Sequence, residues 1–221
     1  MKVTIITAIA IAFCSTAGWA DDSASVRKSA RSGDAEAQLA LARHYADEAR
    51  TARKERKARR DWKQAVEWYS KSAEQGFAEA QYELGGMYLL GGVIEKDEDL
   101  GVEWLMKASD QGFAAAQFEV GNLYLSGAKL EQDSDLGLDL LKTAANERHV
   151  PAQKQLGTMY FQGRGVEKDL VQAHVWFSIA NLSDDNASQS YLPTLESIMD
   201  EAQINEARAL AAQWQADHTA E

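Results

Sequence analysis

One short pattern returns along this chain at a nearly fixed period. An alanine and a glutamine are followed, seven residues after the glutamine, by a tyrosine, and the glutamines are Gln38, Gln81, Gln117 and Gln153. They are separated by 43, 36 and 36 residues, so three copies share one register and the first contains an insertion. Repeats of this length are typical of helical hairpins that stack side by side and bury a shared core. The sequence therefore predicts an all-α array of stacked helix-turn-helix units.

The apolar spacing within each unit predicts two helices of about 13 residues joined by a short turn. Glycine and aspartate mark the turns, as in the segment from Gly127 to Asp133. A glycine can end the first helix in a left-handed conformation, and an aspartate can cap the second. Asp34 is the predicted cap of the first repeat helix. Predicted first helices cover 77–90, 113–126 and 150–162, and predicted second helices cover 61–75, 97–111, 133–147 and 169–182.

Three further positions recur in the units, two small and one large. A glycine inside a helix costs about 1 kcal/mol relative to alanine, so we expect the small residues where two helices pack closely. The large apolar side chains are expected to wedge between hairpins. The columns are Gly85, Gly121 and Gly157 in the first helices, Ala65, Gly101, Gly137 and Ala173 in the second helices, and Trp68, Trp104, Leu140 and Trp176 beside them.

The first 20 residues have the character of an export signal. Lys2 precedes an apolar run at residues 3–13, which is shorter than the roughly 20 residues of a membrane-spanning helix. Small residues allow cleavage after Ala20 or after Ala17, and lipid attachment at Cys14 is a less favoured alternative. We therefore expect a cleaved signal peptide, a periplasmic or secreted mature protein, and no stable membrane insertion after cleavage.

Cleavage after Ala20 would change both the charge and the cysteine content of the chain. It removes the only cysteine, so the mature protein must be held together by its core rather than by a disulfide. It also removes Lys2 and changes the formal charge from −11 to −12. This acidity argues against nucleic acid and anionic membranes as main partners, but it does not identify a protein partner.

Residues 50–60 form a strongly basic segment in this acidic chain. They carry seven basic residues and one acidic residue, with no apolar period, so we expect a solvated helical extension or a long loop. The segment is either a soluble spacer or a surface that docks an acidic partner, or the acidic groove of this protein itself, through salt-sensitive contacts. The candidate docking residues are Arg53, Lys54, Arg56, Lys57, Arg59 and Arg60.

Both ends of the array are predicted to be caps. Residues 21–33 resemble the end of a second repeat helix, whereas residues 183–221 depart from the repeat and begin with a polar break. Pro193 suits the first turn of a helix that extends to about residue 199. Asp200 with Gln203 predicts a capping box at the start of a last amphipathic helix. Terminal units of this kind cover the ends of a solenoid.

The repeated residues resemble the Sel-one-like repeat (SLR) family, a relative of the tetratricopeptide repeats. The shared pattern is Ala-Gln-x-x-Leu-Gly-x-Met-Tyr, then Gly-x-Gly-Val-x-x-Asp, then Ala-x-x-Trp, and it covers residues 34–182 in about four hairpins. Ala42 in place of glycine, Ala128-Lys129-Leu130 in the third turn and Leu140 in place of tryptophan depart from it. The resemblance implies a right-handed α/α superhelical solenoid that binds other proteins, often as a scaffold. Function follows here by analogy only.

The related tetratricopeptide geometry implies that first helices line a concave face where a partner segment binds. Tyr82 and Phe118 are the strongest candidates, because aromatic side chains make good anchors for a peptide or a helix. The alternative is that both are core residues packed against the next hairpin. The predicted partner-binding residues are Glu79, Tyr82, Glu83, Gly86, Phe118, Glu119, Asn122, Lys154 and Thr158.

The sequence contains little evidence of a catalytic site, a cofactor site or a metal site. The four histidines are scattered without the spacing of a metal site, so we expect no metal and no cofactor. Ser25 and Lys28 match the Ser-x-x-Lys pattern of penicillin-recognising enzymes, but no Ser-Asp-Asn or Lys-Thr-Gly follows. The resemblance also links some secreted SLR proteins to β-lactams. We therefore favour an exported adaptor that is not an enzyme, with a β-lactam-binding or hydrolysing envelope enzyme as the alternative.

Overall fold

A computed structural model describes residues 19–182, 188 and 190–219, with backbone alone at 19–23 and 219. Every regular element within these residues is a helix. The predicted signal peptide falls almost entirely outside the described residues. The chain divides into two compact units, Met1–Ser72 and Ala73–Glu221.

The first unit contains α1 and α2 and most of α3, and the second contains the rest. The expected all-α solenoid of stacked helical hairpins is confirmed. The helices are α1 (Trp19–Arg31), α2 (Ala35–Thr51), α3 (Glu55–Glu74), α4 (Ala78–Leu90), α5 (Glu98–Asp110), α6 (Ala114–Ser126), α7 (Ser134–Asn146), α8 (Val150–Gln162), α9 (Leu170–Asn181), α10 (Tyr191–Glu196) and α11 (Glu201–Thr219).

Local capping signals explain why most predicted helix ends agree with the structure within one or two residues. The side chains of Asp97 and Asp133 accept hydrogen bonds of 3.0 Å from the backbone N–H groups three residues later, and Asp169 accepts one of 2.9 Å. Gly127 and Gly163 end α6 and α8 in the left-handed conformation, with φ of 63° and 68°. Both roles are as predicted.

The helix α3 starts six residues earlier than predicted. The break between α2 and α3 is confined to residues 52–54, and the second half of the basic segment is the first turn and a half of α3. An ion pair of 2.7 Å between Arg59 and Glu55, four residues apart, supports this added turn. Of the two expectations for the basic segment, the helical extension is the one observed for residues 55–60.

Glycines of the two helices of a hairpin face each other at their crossing. A Cβ added to Gly121 of α6 would lie 3.0 Å from the carbonyl oxygen of Gly137, and one added to Gly137 would lie 2.8 Å from that of Gly121. Gly85 and Gly101 stand in the same relation in α4 and α5. The prediction that small residues permit a close helix approach is confirmed.

The repeated glutamine has a structural role that its position alone did not reveal. The Nε2 of Gln153 donates to the carbonyl oxygen of Ala145, near the end of the preceding helix, at 2.9 Å. Gln81 makes the same bond to Ala73 and Gln38 the same bond to Ala30, each at 3.1 Å. Each of these three glutamines therefore adds a second donor to a carbonyl in the last turn of the earlier helix, which also accepts the backbone N–H of the residue three positions later. Gln38 therefore bonds to α1 as the later glutamines bond to the second helices α3 and α7.

The last helices cover the end of the second unit. Asp200 and Gln203 exchange backbone and side-chain hydrogen bonds of 2.8 and 3.1 Å, which confirms the capping box. Phe177, Leu195 and Ala207 belong to one buried cluster that joins α9, α10 and α11. The ring of Tyr191 stacks on Phe177 with centroids 4.4 Å apart. Pro193 lies in the first turn of α10, as predicted, whereas the helix ends at Glu196, three residues before the expected end.

Candidate functional site

All nine predicted partner-binding residues lie on the first helices of the second unit. They belong to α4, α6 and α8, and each is half-buried rather than fully exposed. Half-burial is suited to binding, because a side chain that is already held in place loses little freedom when a partner arrives. We call this surface the first-helix face.

The two aromatic candidates contribute to packing between repeats. The ring of Tyr82 on α4 lies 5.3 Å from the ring of Phe113, the residue just before α6. Phe118 on α6 lies 5.0 Å from His149, the residue just before α8. The helices α4 and α6 thus each place an aromatic side chain against the start of the next first helix. The rings are packing residues whose remaining exposed edges belong to the first-helix face.

Burial shapes the electrostatics around Tyr82. Burial, together with the nearby carboxylates of Glu119 and Glu83, raises the pKa of the Tyr82 hydroxyl, which therefore stays protonated as a donor. Burial also raises the pKa of the Glu119 carboxyl. Glu119 makes no ion pair or hydrogen bond with any residue that the structure describes. The face therefore holds a half-buried carboxyl group with no partner.

A pair present in one repeat is missing in the one before it. Gln155 on α8 donates a hydrogen bond to the Oδ1 of Asn122 on α6, which links neighbouring repeats. The equivalent residues one repeat earlier are Glu119 and Gly86. A Cβ added to Gly86 would meet no atom within 4 Å. The missing side chain leaves an open notch at Gly86, and comparing repeats in the sequence could have revealed it.

His149 is held neutral beside this face. Burial lowers the pKa of His149 to about 4, and its Nδ1 is buried without a hydrogen-bond partner. A neutral ring can pack on Phe118 as an ordinary aromatic group. The equivalent positions before α4 and α6 are Phe77 and Phe113, so this histidine occupies an aromatic position of the repeat.

A cleft of about 450 Å³ opens between the turns of the last two repeats. Thr158, one of the predicted partner-binding residues, lines it, so it adjoins the first-helix face. We call it the turn cleft. Its lining residues are Leu125, Gln132, Ser134, Gln155, Thr158, Met159, Gln162, Arg164 and Gly165.

The first unit already uses half of the cations predicted to dock electrostatically. Lys57 pairs with Glu48 of α2 and with Asp61 of α3, and Arg60 pairs with Asp61 at 2.9 Å. Burial opposes ionisation of Asp61, which is 3% exposed, but hydrogen bonds from Lys57 and Arg60 more than offset it and lower the pKa of its carboxyl. Arg59 pairs with Glu55. The remaining three, Arg53, Lys54 and Arg56, are exposed and form no ion pair with described residues.

The residues considered for chemistry do not converge on one site. Ser25 and Lys28 are both exposed on α1, without the enclosed pocket in which an acyl-enzyme forms. Among the described residues there is no group of three side chains able to hold a metal ion. In the same part of the chain, no helix has the length and apolar character to cross a membrane.

His174 belongs to a hydrogen-bonded network of polar side chains that was not predicted from the sequence. Its Nε2 lies 3.1 Å from Glu196 and its Nδ1 lies 3.2 Å from the hydroxyl of Ser178. Arg208 donates to the same Glu196 oxygen at 2.8 Å. His174 is only 2% exposed. Through Glu196 of α10, the network connects His174 of α9 to Arg208 of α11. Hydrogen bonds from His174 and Arg208 lower the pKa of the Glu196 carboxyl.

The sequence matches the model of one protein family. The model of the Sel1 repeat matches residues 35–77, 78–113, 114–149 and 150–185. A protective antigen of uropathogenic Escherichia coli with an SLR fold is 37% identical, with a TM-score of 0.73 over 86% of this chain. The chain spans 40% of the length of that antigen. A Sel1 repeat protein from Oxalobacter formigenes is 31% identical, with a TM-score of 0.53, over 57% of this chain and 95% of its own. No curated protein matches significantly.

Proposed function

Because this chain belongs to the Sel1 repeat family, we propose that it is an exported adaptor that binds a segment of a partner protein on the first-helix face. The Sel1 repeat fold suggests a protein-interaction scaffold, and proteins of this family are generally non-enzymatic adaptors. The export signal that the sequence predicts at residues 1–20 supports the envelope as the place where the protein works.

The observation that carries the choice of face is the notch at Gly86. Tyr82 lies one turn earlier on the same helix, and Glu119, whose carboxyl group has no partner among the described residues, holds the position equivalent to Gln155, which bonds to Asn122 in the next repeat. A buried polar group without a hydrogen-bond partner raises the free energy of the unbound protein. A binding segment that donates a hydrogen bond to it offsets this cost and so binds more tightly. A Cβ added at Gly86 meets no atom within 4 Å, so the surface is open at this position.

Site-specific crosslinking tests this proposal. A photoreactive amino acid is placed at positions 86, 122 and 158 of the first-helix face and, as matched controls, at the exposed second-helix positions 103, 139 and 143. We expect protein adducts in the cell envelope from the first group and none from the second. Equal crosslinking from both groups, or from the second group alone, would refute the assignment of the face. The mass of the exported chain tests cleavage after Ala20.

A further inference from the structure

The turn cleft differs from its counterpart one repeat earlier. In the earlier repeat, Glu98 at the first position of α5 is bridged by Lys96 and by Lys129. The residues equivalent to Lys96, Glu98 and Lys129 in the turn cleft are Gln132, Ser134 and Gly165. All three charges of the earlier bridge are therefore absent at the same places in the later repeat. The turn cleft is open where the earlier repeat is closed by its own carboxylate.

A cation remains in the turn cleft without an acid. Arg164 immediately precedes Gly165 and lines the cleft, and its guanidinium makes no ion pair or hydrogen bond with described residues. No acidic side chain is among the described residues that line the cleft. The carboxylate that Glu98 supplies in the earlier repeat thus has no equivalent among the residues that line the turn cleft. Guanidinium groups recognise carboxylates with two parallel hydrogen bonds.

The other lining residues divide into free donors and an apolar floor. The hydroxyl of Ser134 and the amide of Gln162 make no hydrogen bond to described residues, whereas the amide of Gln132 already donates to the carbonyl of Leu125 at 3.0 Å. Leu125 is half-buried and Met159 is 8% exposed, and they supply the apolar contact. A volume of about 450 Å³ lies within the range of small-ligand sites and accommodates one or two amino-acid residues.

We propose that the turn cleft binds the C-terminal carboxylate of a partner polypeptide that ends in an apolar residue. The terminal carboxylate pairs with Arg164, Ser134 and Gln162 add hydrogen bonds, and the terminal side chain packs on Leu125 and Met159. In a C-terminal residue the carboxylate and the side chain are attached to the same Cα. One such residue can therefore contact both the donors and the apolar floor of one small cleft. The inference rests on the proposed function in that it assumes a protein partner, and it adds which part of that partner is recognised.

Peptide binding to the purified mature protein tests the inference. The probe is a fluorescein-labelled octapeptide of glycine and serine that ends in leucine, prepared as the free acid, as the amide, and as the amide with an internal glutamate. We expect saturable binding of the free acid, at least tenfold tighter than either amide, by fluorescence anisotropy. Equal binding of the acid and the simple amide, or no saturable binding of the acid up to about 5 mM, would overturn the proposal. Equal binding of the glutamate peptide would also contradict it, by indicating a side-chain carboxylate.

Three variants locate the binding site. Arg164→Gln removes the cation, and Ser134→Glu restores the internal carboxylate of the earlier repeat at a helix start, where an acidic residue is well tolerated. Both are expected to reduce binding of the free acid to the level of the amide without changing the circular dichroism spectrum. Arg27→Gln, which removes an exposed arginine of α1, is the matched control and is expected to bind as the wild type does. Unchanged binding by Arg164→Gln would refute the site.

The two proposals can fail separately. If the peptides fail while positions 86 and 122, which lie outside the turn cleft, still crosslink to a protein, the adaptor function stands and the inference about the turn cleft falls. If the free acid binds but those positions give no adducts, the carboxylate site stands and the first-helix face is wrong.

Discussion

The closest contacts of the repeat are made by residues without side chains. Gly121 and Gly137 cross with almost no room for a methyl group, whereas Gly86, in the same kind of helix, faces open space. The same residue type therefore has opposite meanings at two positions. One glycine permits the packing of a hairpin, and the other opens the notch where we expect a partner to bind.

Alanine substitutions separate these two roles. Gly137→Ala places a Cβ 2.8 Å from the Gly121 carbonyl oxygen, so we expect the free energy of unfolding to fall by about 1–3 kcal/mol. Gly86→Ala adds a methyl group in open space and removes a flexible helix residue, so we expect a gain of up to about 1 kcal/mol. Urea unfolding of both variants measures the difference. Equal losses would contradict the assigned contacts.

His149 makes the stability of the protein depend on pH. Its pKa is about 4 in the folded protein and near 6.5 when unfolded, so between these values only the unfolded chain takes up the proton. Its contribution to stability is complete above about pH 6.5 and is lost as the pH falls towards 4. His149→Phe introduces the residue found at the equivalent positions 77 and 113. Its free energy of unfolding should fall less than that of the wild type between about pH 6.5 and pH 4. Comparing the two proteins removes the common contributions of groups such as Glu196. Parallel stability curves would show that His149 does not titrate in this way.

At the scale of the helices, most repeats cap the helix before them. Gln38, Gln81 and Gln153 each donate to a carbonyl near the end of the preceding helix, and an aspartate caps the start of α5, α7 and α9 within the same hairpin. The aspartate bond spans three residues and could be predicted from the sequence. The glutamine bond spans eight residues and joins two helices, so the sequence revealed the recurrence of the residue but not its acceptor.

Loss of this cap should cost more than loss of a surface amide. Gln153→Ala leaves the Ala145 carbonyl without its 2.9 Å bond in a buried place, and we expect a loss of about 1–3 kcal/mol in unfolding free energy. Gln213, an exposed residue of α11 that pairs with Asp217, is the matched control. Gln213→Ala should change stability by less than about 0.5 kcal/mol. Similar values for both would argue against the capping role.

The basic segment shows where prediction from sequence ended. Its charge run indicated a solvated extension, and the extension of α3 is observed. The ion pairs of Lys57 with Glu48 and Asp61 could not be predicted from the sequence, because the burial of Asp61 depends on how α2 and α3 pack. Likewise, Tyr82 and Phe118 were placed on the correct helices, but their contacts with Phe113 and His149 depend on the register between repeats.

At the scale of the whole molecule, regular stacking and irregular surface have separate tasks. The fold follows from residues that recur along the array, such as the glutamines that bond to α1, α3 and α7 and the aspartates that cap α5, α7 and α9. The candidate binding features lie where the units differ: Gly86 with Glu119 in place of Asn122 with Gln155, and Ser134 in place of Glu98. In a repeat protein, departures from the internal consensus are therefore the positions at which to look for function.

The most direct test of the adaptor function is the affinity of the crosslinked partner, once purified, for two charge-matched variants. Gly86→Arg places a long cationic side chain in the notch on the first-helix face, where its Cβ meets no atom of the fold within 4 Å, and Thr143→Arg adds the same charge at an exposed position of α7. Calorimetry should show a dissociation constant at least tenfold weaker for Gly86→Arg and unchanged for Thr143→Arg, with both proteins fully helical. Wild-type affinity of Gly86→Arg would contradict binding on the first-helix face.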